Sequence, residues 1–254
     1  ILTGQPNYPN GEFYKGYNFS FSTEKKFNLN IMRVPIIPRG KNYITLFLNY
    51  VSFAFIASFF IFFKKKKYDR ILAINYSPIT SVIPAIIAKK KNKAKLFLWV
   101  QDLWPESFNA VVKKDFFGLT FLLNKIVKKI YFYSDKILVS NNGFINSISN
   151  KGVKKNKIEF MPNWAEDIFD DFDKIIFNRY QDLIPSGFVV MFAGNIGEAQ
   201  DFENIVKAIE LSSDEIKWVF LGNGRKLEWF SDEIIEKKLE SRVKILSRKN
   251  YYKQ

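Results

Sequence analysis

The sequence predicts an α/β protein of two domains, each built on a parallel sheet with helices on both faces. From residue 68, short hydrophobic runs typical of buried strands alternate with longer segments typical of helices. The alternation stops at residues 162–164 and restarts near residue 188. The two parts also differ in charge: residues 1–163 contain 26 Lys and Arg against 8 Asp and Glu, and residues 164–254 contain 13 against 17.

The first predicted domain covers residues 1–163. It opens with a strand that ends at Thr3-Gly4, a loop rich in Asn, Pro, Gly and Tyr, and a second strand around Asn30–Val34. The later pattern predicts strands at 70–75, 95–101, 136–140 and 157–161, separated by helices at 79–91, 119–133 and 142–151. Strands that alternate with helices indicate a Rossmann-like domain.

Residues 43–63 form an uncharged run of 21 residues that ends in Lys64–Lys67. Its length and flanking charge suffice for a membrane span. Four polar residues within it, and the strand pattern that follows at once, stand against a span. Three interpretations stay open: a core helix, a helix lying partly in a membrane interface, and a span. The four lysines favour membrane contact in the last two.

The second predicted domain covers residues 187–254 and follows an acidic connector at 164–186. Its pattern predicts strands at 188–193, 216–221 and 242–246, with helices at 202–212 and 225–240. The chain starts within a strand and stops just after one. We therefore expect a piece of a longer protein, with a second Rossmann-like domain that is incomplete.

Composition excludes several kinds of chemistry. The chain has no Cys and no His, which excludes disulfides, thiolate metal sites and Ser-His or Cys-His nucleophile pairs, and argues against zinc. Any proton transfer must use a carboxylate, Lys, Tyr, a substrate oxygen or water. An AT-rich genome would produce the heavy use of Lys by codon bias alone. Such a bias would act on the whole gene, so the charge difference between the domains still indicates that the first one faces an anion. A phospholipid surface or a pyrophosphate-linked substrate fits, and nucleic acid remains open.

Two glycine loops are candidate phosphate sites, because ligands of open α/β sheets bind beyond the carboxyl ends of the strands. Gly194-Asn195-Ile196-Gly197 lies between a strand and a helix, where backbone N–H groups bind phosphate. Gly222-Asn223-Gly224 is followed by Arg225 and Lys226, two cations for a diphosphate. The alternative for both loops is a tight turn between strand and helix.

Asp102 is the candidate catalytic residue. It follows a hydrophobic strand within WVQDLWPES (99–107), where a carboxylate can bind a sugar hydroxyl or accept a proton. The alternative is an Asx-turn or a helix cap. Asp170, Asp171 and Asp173 fit a solvated helix start better than a metal cluster, so no metal site is predicted.

Five segments resemble the retaining glycosyltransferases of family 4, which have the GT-B architecture of two Rossmann-like domains, and within it the bacterial fucosamine-transferase and colanic-acid type. The segments are LTGQPNYPNGEFYKGY (2–17), NYVSFAFIAS (49–58), WVQDLWPES (99–107), MPNWAE (161–166) and FAGNIGEAQDF (192–202).

The resemblance implies that a sugar, such as N-acetylfucosamine or another N-acetylated 6-deoxyhexose, moves from a UDP-sugar to a polyprenyl-pyrophosphate-linked acceptor in surface polysaccharide assembly. The enzyme would need no cofactor or metal, bind no nucleic acid, and attach peripherally to an anionic membrane at the cytoplasmic face. Asp102 would be catalytic. The implied donor-binding residues are Gly194, Asn195, Ile196, Gly197, Arg225 and Lys226, and the acceptor-side residues are Asn7, Tyr8 and Gln101.

The sequence departs from the family pattern in three places. Many members have His where this chain has Gln101, and Arg and Lys where it has Asn195 and Gln200. The paired glutamates of the family would lie beyond Gln254. A UDP-sugar epimerase on the same fold and a non-catalytic nucleotide-sugar-binding protein stay open as alternatives. A nicotinamide-dependent enzyme is disfavoured, because neither loop has the G-x-G-x-x-G spacing.

Overall fold

The protein is described by a computed structural model that covers residues 1–8, 10–40, 42–111, 117–165 and 183–247. The chain divides into two compact units, Ile1–Trp164 and Ala165–Gln254. Most of the predicted connector lies outside the described residues, and with it the acidic cluster at Asp170, Asp171 and Asp173.

Unit 1 opens with a three-stranded sheet of order β1-β3-β2. Its strands are β1 (Leu2–Gly4), β2 (Ser22–Lys26) and β3 (Leu29–Val34). β1 is parallel to β3, and β2 is antiparallel to it. The sequence did not predict β2, because its residues are polar and all exposed. The strand forms through a tight hairpin in which Phe27 (φ 47°) and Asn28 (φ 61°) both adopt the left-handed conformation.

Helix α1 (Tyr43–Phe63) follows and begins at Asn42, whose side chain accepts a hydrogen bond from the Thr45 N–H. It packs on β3 and on the next helix of the chain. Of the described helices, α1 has the length and apolar composition of a membrane span, with a mean hydropathy of 2.1, and 28% of that stretch is buried.

The second sheet of unit 1 is parallel and has the order β4-β5-β6-β7. Its core contains Leu96, Leu98, Val100, Ile137 and Val139. The predicted helix at 79–91 is a 3₁₀ turn (Ile79–Val82) that continues into α2. The strands and helices are β4 (Arg70–Asn75), α2 (Ile83–Asn92), β5 (Lys95–Val100), α3 (Glu106–Val111), α4 (Phe117–Tyr133), β6 (Lys136–Val139), α5 (Gly143–Asn150) and β7 (Ile158–Phe160).

Unit 2 contains a parallel sheet of order β10-β9-β8. Its elements are β8 (Val189–Asn195), α6 (Phe202–Leu211), β9 (Lys217–Asn223), α7 (Leu227–Glu236) and β10 (Val243–Ser247). The rings of Phe202, Phe220 and Phe230 form the centre of the core, with centroids 4.7 to 5.9 Å apart. The prediction of an α/β protein with parallel sheets is confirmed.

Candidate functional site

The two predicted glycine loops lie side by side at the carboxyl end of the unit 2 sheet. The ladder between β8 and β9 pairs Gly194 with Gly222 and Asn195 with Asn223. Beyond the ladder, the Ile196 N–H donates to the Asn223 carbonyl at 3.0 Å, and the Lys226 N–H donates to the Ile196 carbonyl at 3.0 Å. The loops therefore form one platform, held together by backbone hydrogen bonds.

The glycines of the second loop are required by this close approach. A Cβ on Gly222 would lie 2.0 Å from the Gly194 carbonyl oxygen, and a Cβ on Gly224 would lie 2.0 Å from the Ile196 carbonyl oxygen. Packing of one loop on the other therefore accounts for both glycines, without any need for a ligand to approach them.

Ile196 anchors the first loop. Its side chain is fully buried in the core of unit 2, beside Phe202. The Gly197 and Arg225 N–H groups make no hydrogen bond with the residues that the structure describes. The Gln200 amide, oriented to satisfy its hydrogen bonds, donates to the Asn195 and Gly197 carbonyls at 3.2 Å each. Gly197 is buried and Arg225 is exposed, so the platform combines a fixed backbone with one accessible N–H donor, that of Arg225.

The two cations of the platform differ in environment. Arg225 is exposed and forms no hydrogen bond or ion pair within the described residues. The Lys226 side chain is buried, contacts the Glu203 carboxylate, lies 3.4 Å from Glu198, and stands over the Trp229 ring. Burial alone would lower the pKa of Lys226, but the hydrogen bond that its ammonium donates to Glu203 and the charges of both carboxylates raise it.

These contacts give different roles to Arg225 and Lys226, the two residues predicted to bind the diphosphate. The Lys226 ammonium is already occupied by carboxylates, so it ties together the start of α6 and the two loops. Arg225 is the cation that is open to an anion. Sequence reasoning did not find Glu198 and Glu203 as the partners of Lys226, because the three residues follow no motif spacing.

Asp102 follows β5 at the carboxyl end of the unit 1 sheet. The Gln101 and Asp102 N–H groups both donate to the Asn75 carbonyl, at 2.9 and 3.3 Å. The Asp102 carboxylate forms no hydrogen bond within the described ranges, so neither an Asx-turn nor a helix cap is seen there. Partial burial raises the pKa of Asp102.

Gln101 is engaged with the segment that ends unit 1. Its amide exchanges two hydrogen bonds with the Asn163 amide, both at 3.0 Å. Nearby, the Trp99 indole N–H donates to the Met161 carbonyl at 3.1 Å, and the Trp99 and Trp164 rings stack at 5.6 Å. Gln101 therefore holds residues 161–164 against β5, and its acceptor-side role, which the family resemblance implies, stays a prediction.

The two other acceptor-side candidates, Asn7 and Tyr8, lie in the first loop of unit 1 and differ in exposure. The Asn7 amide is buried: it donates to the Gln5 carbonyl and accepts from the Arg39 N–H. Tyr8 is exposed, and its ring lies 5.2 Å from the Arg39 guanidinium, which also lies 5.9 Å from the Tyr50 ring. Asn7 shapes the loop, and Tyr8 with Arg39 forms its accessible part. No sequence signal distinguished Arg39.

Among the described residues, no group of three or more Asp, Glu, His or Cys side chains is placed to hold a metal ion. The acidic cluster at 170–173 lies outside those residues.

No protein-family model matches the chain. Its sequence is 23% identical to the colanic acid biosynthesis glycosyl transferase WcaI of Escherichia coli K12, over 88% of this chain and 57% of that protein. Among solved structures, sucrose-phosphate synthase of Thermosynechococcus elongatus matches 97% of this chain and 59% of its own, with a TM-score of 0.67 and 14% identity. Anabaena HepE in complex with UDP and glucose matches 71% of this chain and 48% of its own, with a TM-score of 0.56 and 15% identity.

The chain thus spans about half the length of these proteins, from 48 to 59%. At these identities the structural matches establish the fold alone. The chain has the GT-B fold, and its sequence is similar to that of a glycosyltransferase.

Proposed function

We propose that the chain is part of a glycosyltransferase that moves a sugar from a UDP-sugar to a polyprenyl-pyrophosphate-linked acceptor. The observation that carries the proposal is the platform of unit 2, where two glycine loops lie beside an exposed arginine at the carboxyl end of a parallel sheet. The sequence similarity to WcaI supports transferase chemistry. The fold shared with HepE, a protein solved with UDP and glucose, supports a nucleotide-linked donor.

In this proposal the Arg225 guanidinium and the Arg225 N–H group stabilise the diphosphate as it leaves. Lys226 acts indirectly. Its single positive charge offsets one of the two negative charges of Glu198 and Glu203, which weakens their repulsion of a dianionic diphosphate. It also fixes the second loop against α6, so that the donors are in place before the ligand binds.

Asp102 orients the acceptor or the donor sugar. A carboxylate without a hydrogen-bond partner in the described structure is available to a sugar hydroxyl, and its raised pKa suits it to accept a proton. The acceptor hydroxyl attacks from the face that the leaving group departs, which gives retention of configuration. This mechanism uses no histidine and no metal ion.

The finer assignment rests on the segments at 2–17, 99–107 and 192–202 and on the similarity to WcaI. We assign the protein to family 4, to the fucosamine-transferase and colanic-acid type. The donor sugar is then an N-acetylated 6-deoxyhexose such as N-acetylfucosamine, and the product belongs to an O-antigen, a capsule or a related surface polysaccharide. The excess of lysine in unit 1 supports peripheral attachment to the cytoplasmic face of the membrane.

The test is to incubate the full-length protein with a panel of UDP-sugars and a polyprenyl-pyrophosphate-linked acceptor. We expect a glycosylated lipid by mass spectrometry and, by NMR, the anomeric configuration of the donor in the product. Interconversion of the UDP-sugar without an acceptor would identify an epimerase instead. Binding of UDP-sugar without any turnover would identify a binding protein. Either result would overturn the proposal.

A further inference from the structure

Helix α1 is apolar on both sides: Phe53, Ile56 and Ala57 pack into a core cluster of unit 1, beside the inward-facing polar residues Asn49 and Ser52, and large apolar residues also cover the outside. The buried Asn49 amide donates to the Ile37 carbonyl at 2.6 Å, and the Ser52 hydroxyl accepts from the Ile37 N–H at 3.0 Å. The opposite side carries large side chains that are 45 to 72% exposed and three or four residues apart. This outer face consists of Ile44, Phe47, Val51, Phe55, Phe59 and Phe62.

A surface helix in water buries an apolar stripe and presents polar residues to solvent, whereas the outer side of α1 is apolar as well. A contiguous apolar surface made of six large exposed side chains marks an interaction site. The inward hydrogen bonds fix which side of α1 is outside, because turning the helix would leave Asn49 and the Ile37 backbone without partners. The packing of unit 1 thus determines which residues of α1 form the outer face.

Cations surround the end of this face. Lys65, Lys66 and Lys67 are exposed directly after the helix, and Lys64 lies with its ammonium 4.9 Å from the Phe60 ring. The hairpin of β2 and β3 lies against the same end: the Phe21 ring stacks on Phe60 at 5.5 Å. At the hairpin tip, Phe27 is 85% exposed beside the exposed Lys25 and Lys26. Aromatic side chains next to lysines fit an apolar medium whose surface is anionic.

We propose that the outer face of α1 lies in the headgroup boundary of an anionic phospholipid bilayer, with the helix axis along the surface. A helix of 21 residues is about 32 Å long, so the whole outer face can enter the boundary at once. A transmembrane orientation would require α1 to give up the Asn49 and Ser52 hydrogen bonds to Ile37. The inference rests on the proposed function. It adds the surface that would bring the enzyme to a lipid-linked acceptor.

The test uses vesicles of phosphatidylcholine with and without phosphatidylglycerol, and co-sedimentation of the full-length protein. We expect binding to the anionic vesicles. Phe55→Gln combined with Phe59→Gln should weaken it about 100-fold, since each buried phenylalanine strengthens the binding of an interfacial helix about tenfold. The matched control is Phe188→Gln with Leu211→Gln, two exposed apolar residues of unit 2, 70 and 89% exposed, which should bind as the wild type does.

A second pair of variants tests the charge. Lys65→Gln with Lys67→Gln should weaken binding to anionic vesicles about tenfold and have little effect at high salt. The control Lys207→Gln with Lys238→Gln removes the same charge from exposed positions in unit 2. All substituted side chains are exposed, so unchanged melting temperatures will show that the variants fold.

Insertion can be measured directly, because these 254 residues contain no cysteine. A polarity-sensitive fluorophore on Phe55→Cys should shift to the blue with anionic vesicles, whereas the same label on Leu211→Cys should not. Absence of the shift, or undiminished binding by the Phe55 and Phe59 variant, overturns the inference. So does a dimer that forms through the outer face while vesicles are ignored. Sugar transfer to a water-soluble acceptor tests the proposed function separately, and either result can fail without the other.

Discussion

Gln101 and Asn163 exchange two amide hydrogen bonds of 3.0 Å, which join the end of β5 to the last residues of unit 1. Both side chains are only partly covered, so each bond contributes modestly to stability. We expect Gln101→Ala and Asn163→Ala each to lower the free energy of unfolding by about 0.5 to 1 kcal/mol. The double variant should cost less than the two together, because either change breaks the same pair. Chemical denaturation of the three variants measures this coupling, and strictly additive losses would contradict it.

Arg225→Ala should weaken the binding of UDP about 10-fold to 100-fold, because a charged hydrogen bond to a phosphate is lost. Its melting temperature should not change, since Arg225 has no partner within the described residues. The control is Lys207→Ala, which removes an exposed cation from α6. Isothermal titration with UDP gives the affinities. Equal affinity in the wild type and Arg225→Ala would remove Arg225 from the site.

Lys226→Met should act first on stability. The change leaves Glu198 and Glu203 without the ammonium between them, and we expect a loss of about 1 to 2 kcal/mol, limited by the exposure of both carboxylates. Addition of Glu198→Gln should restore part of the loss, because one of the two like charges is removed. Thermal unfolding of the single and double variants measures the effect. A Lys226→Met protein with wild-type stability and lost UDP affinity would show that Lys226 contacts the diphosphate instead.

Gly224→Ala should separate the two loops of the platform. The new Cβ would meet the Ile196 carbonyl oxygen at 2.0 Å, and the backbone must move to relieve the clash. We expect a loss of about 2 kcal/mol or more in the free energy of unfolding, together with weaker UDP binding. Gly118→Ala is the control, because its Cβ would meet no atom within 4 Å. A stable Gly224→Ala protein would show that the loops do not need this close contact.

Asp102→Asn tests both a role in transfer and a dependence on pH. Burial raises the pKa of Asp102, so the folded protein holds this proton more tightly than the unfolded chain. The charged carboxylate therefore lowers stability above the folded pKa, and the cost disappears as the pH falls below the unfolded pKa. We expect Asp102→Asn to melt higher than the wild type at neutral pH, with the difference shrinking on acidification. Asp69→Asn serves as an exposed control.

The same substitution should lower the rate of sugar transfer about 100-fold if Asp102 assists the acceptor hydroxyl, which kinetics at saturating donor would measure. An unchanged rate would take Asp102 out of the reaction.

The parallel sheets were predictable because buried parallel strands are nearly continuous runs of Val, Ile, Leu and Phe. This holds for β5 and β9, whereas β4 has the same apolar sequence with Leu72 and Ile74 exposed. The predicted limits of the three strands differ from the observed ones by at most two residues. β2 was not predictable in this way. Its five exposed polar residues show no alternation, and the strand depends on pairing with β3.

At the site, the sequence predicted which residues belong to the loops, but it did not predict which residues contact each other. The loops at 194–197 and 222–226 were identified from glycines after strands, yet the reason for Gly222 and Gly224 is the neighbouring backbone. Lys226 lies 23 residues from Glu203, which no local pattern connects. The length of α1 was evident from the sequence. The inward orientation of Asn49 was not, because it depends on a hydrogen bond with the Ile37 carbonyl that only the fold creates.

The burial of Ile196 bears on how quickly and how tightly the platform would bind the proposed diphosphate. Since its side chain belongs to the core, the first loop loses its conformational freedom when unit 2 folds and not when a ligand arrives. No ordering cost is then subtracted from the affinity, and association need not wait for the loop to close. Substitutions of core residues that pack against Ile196 should therefore change the affinity for the ligand, although these residues do not contact it.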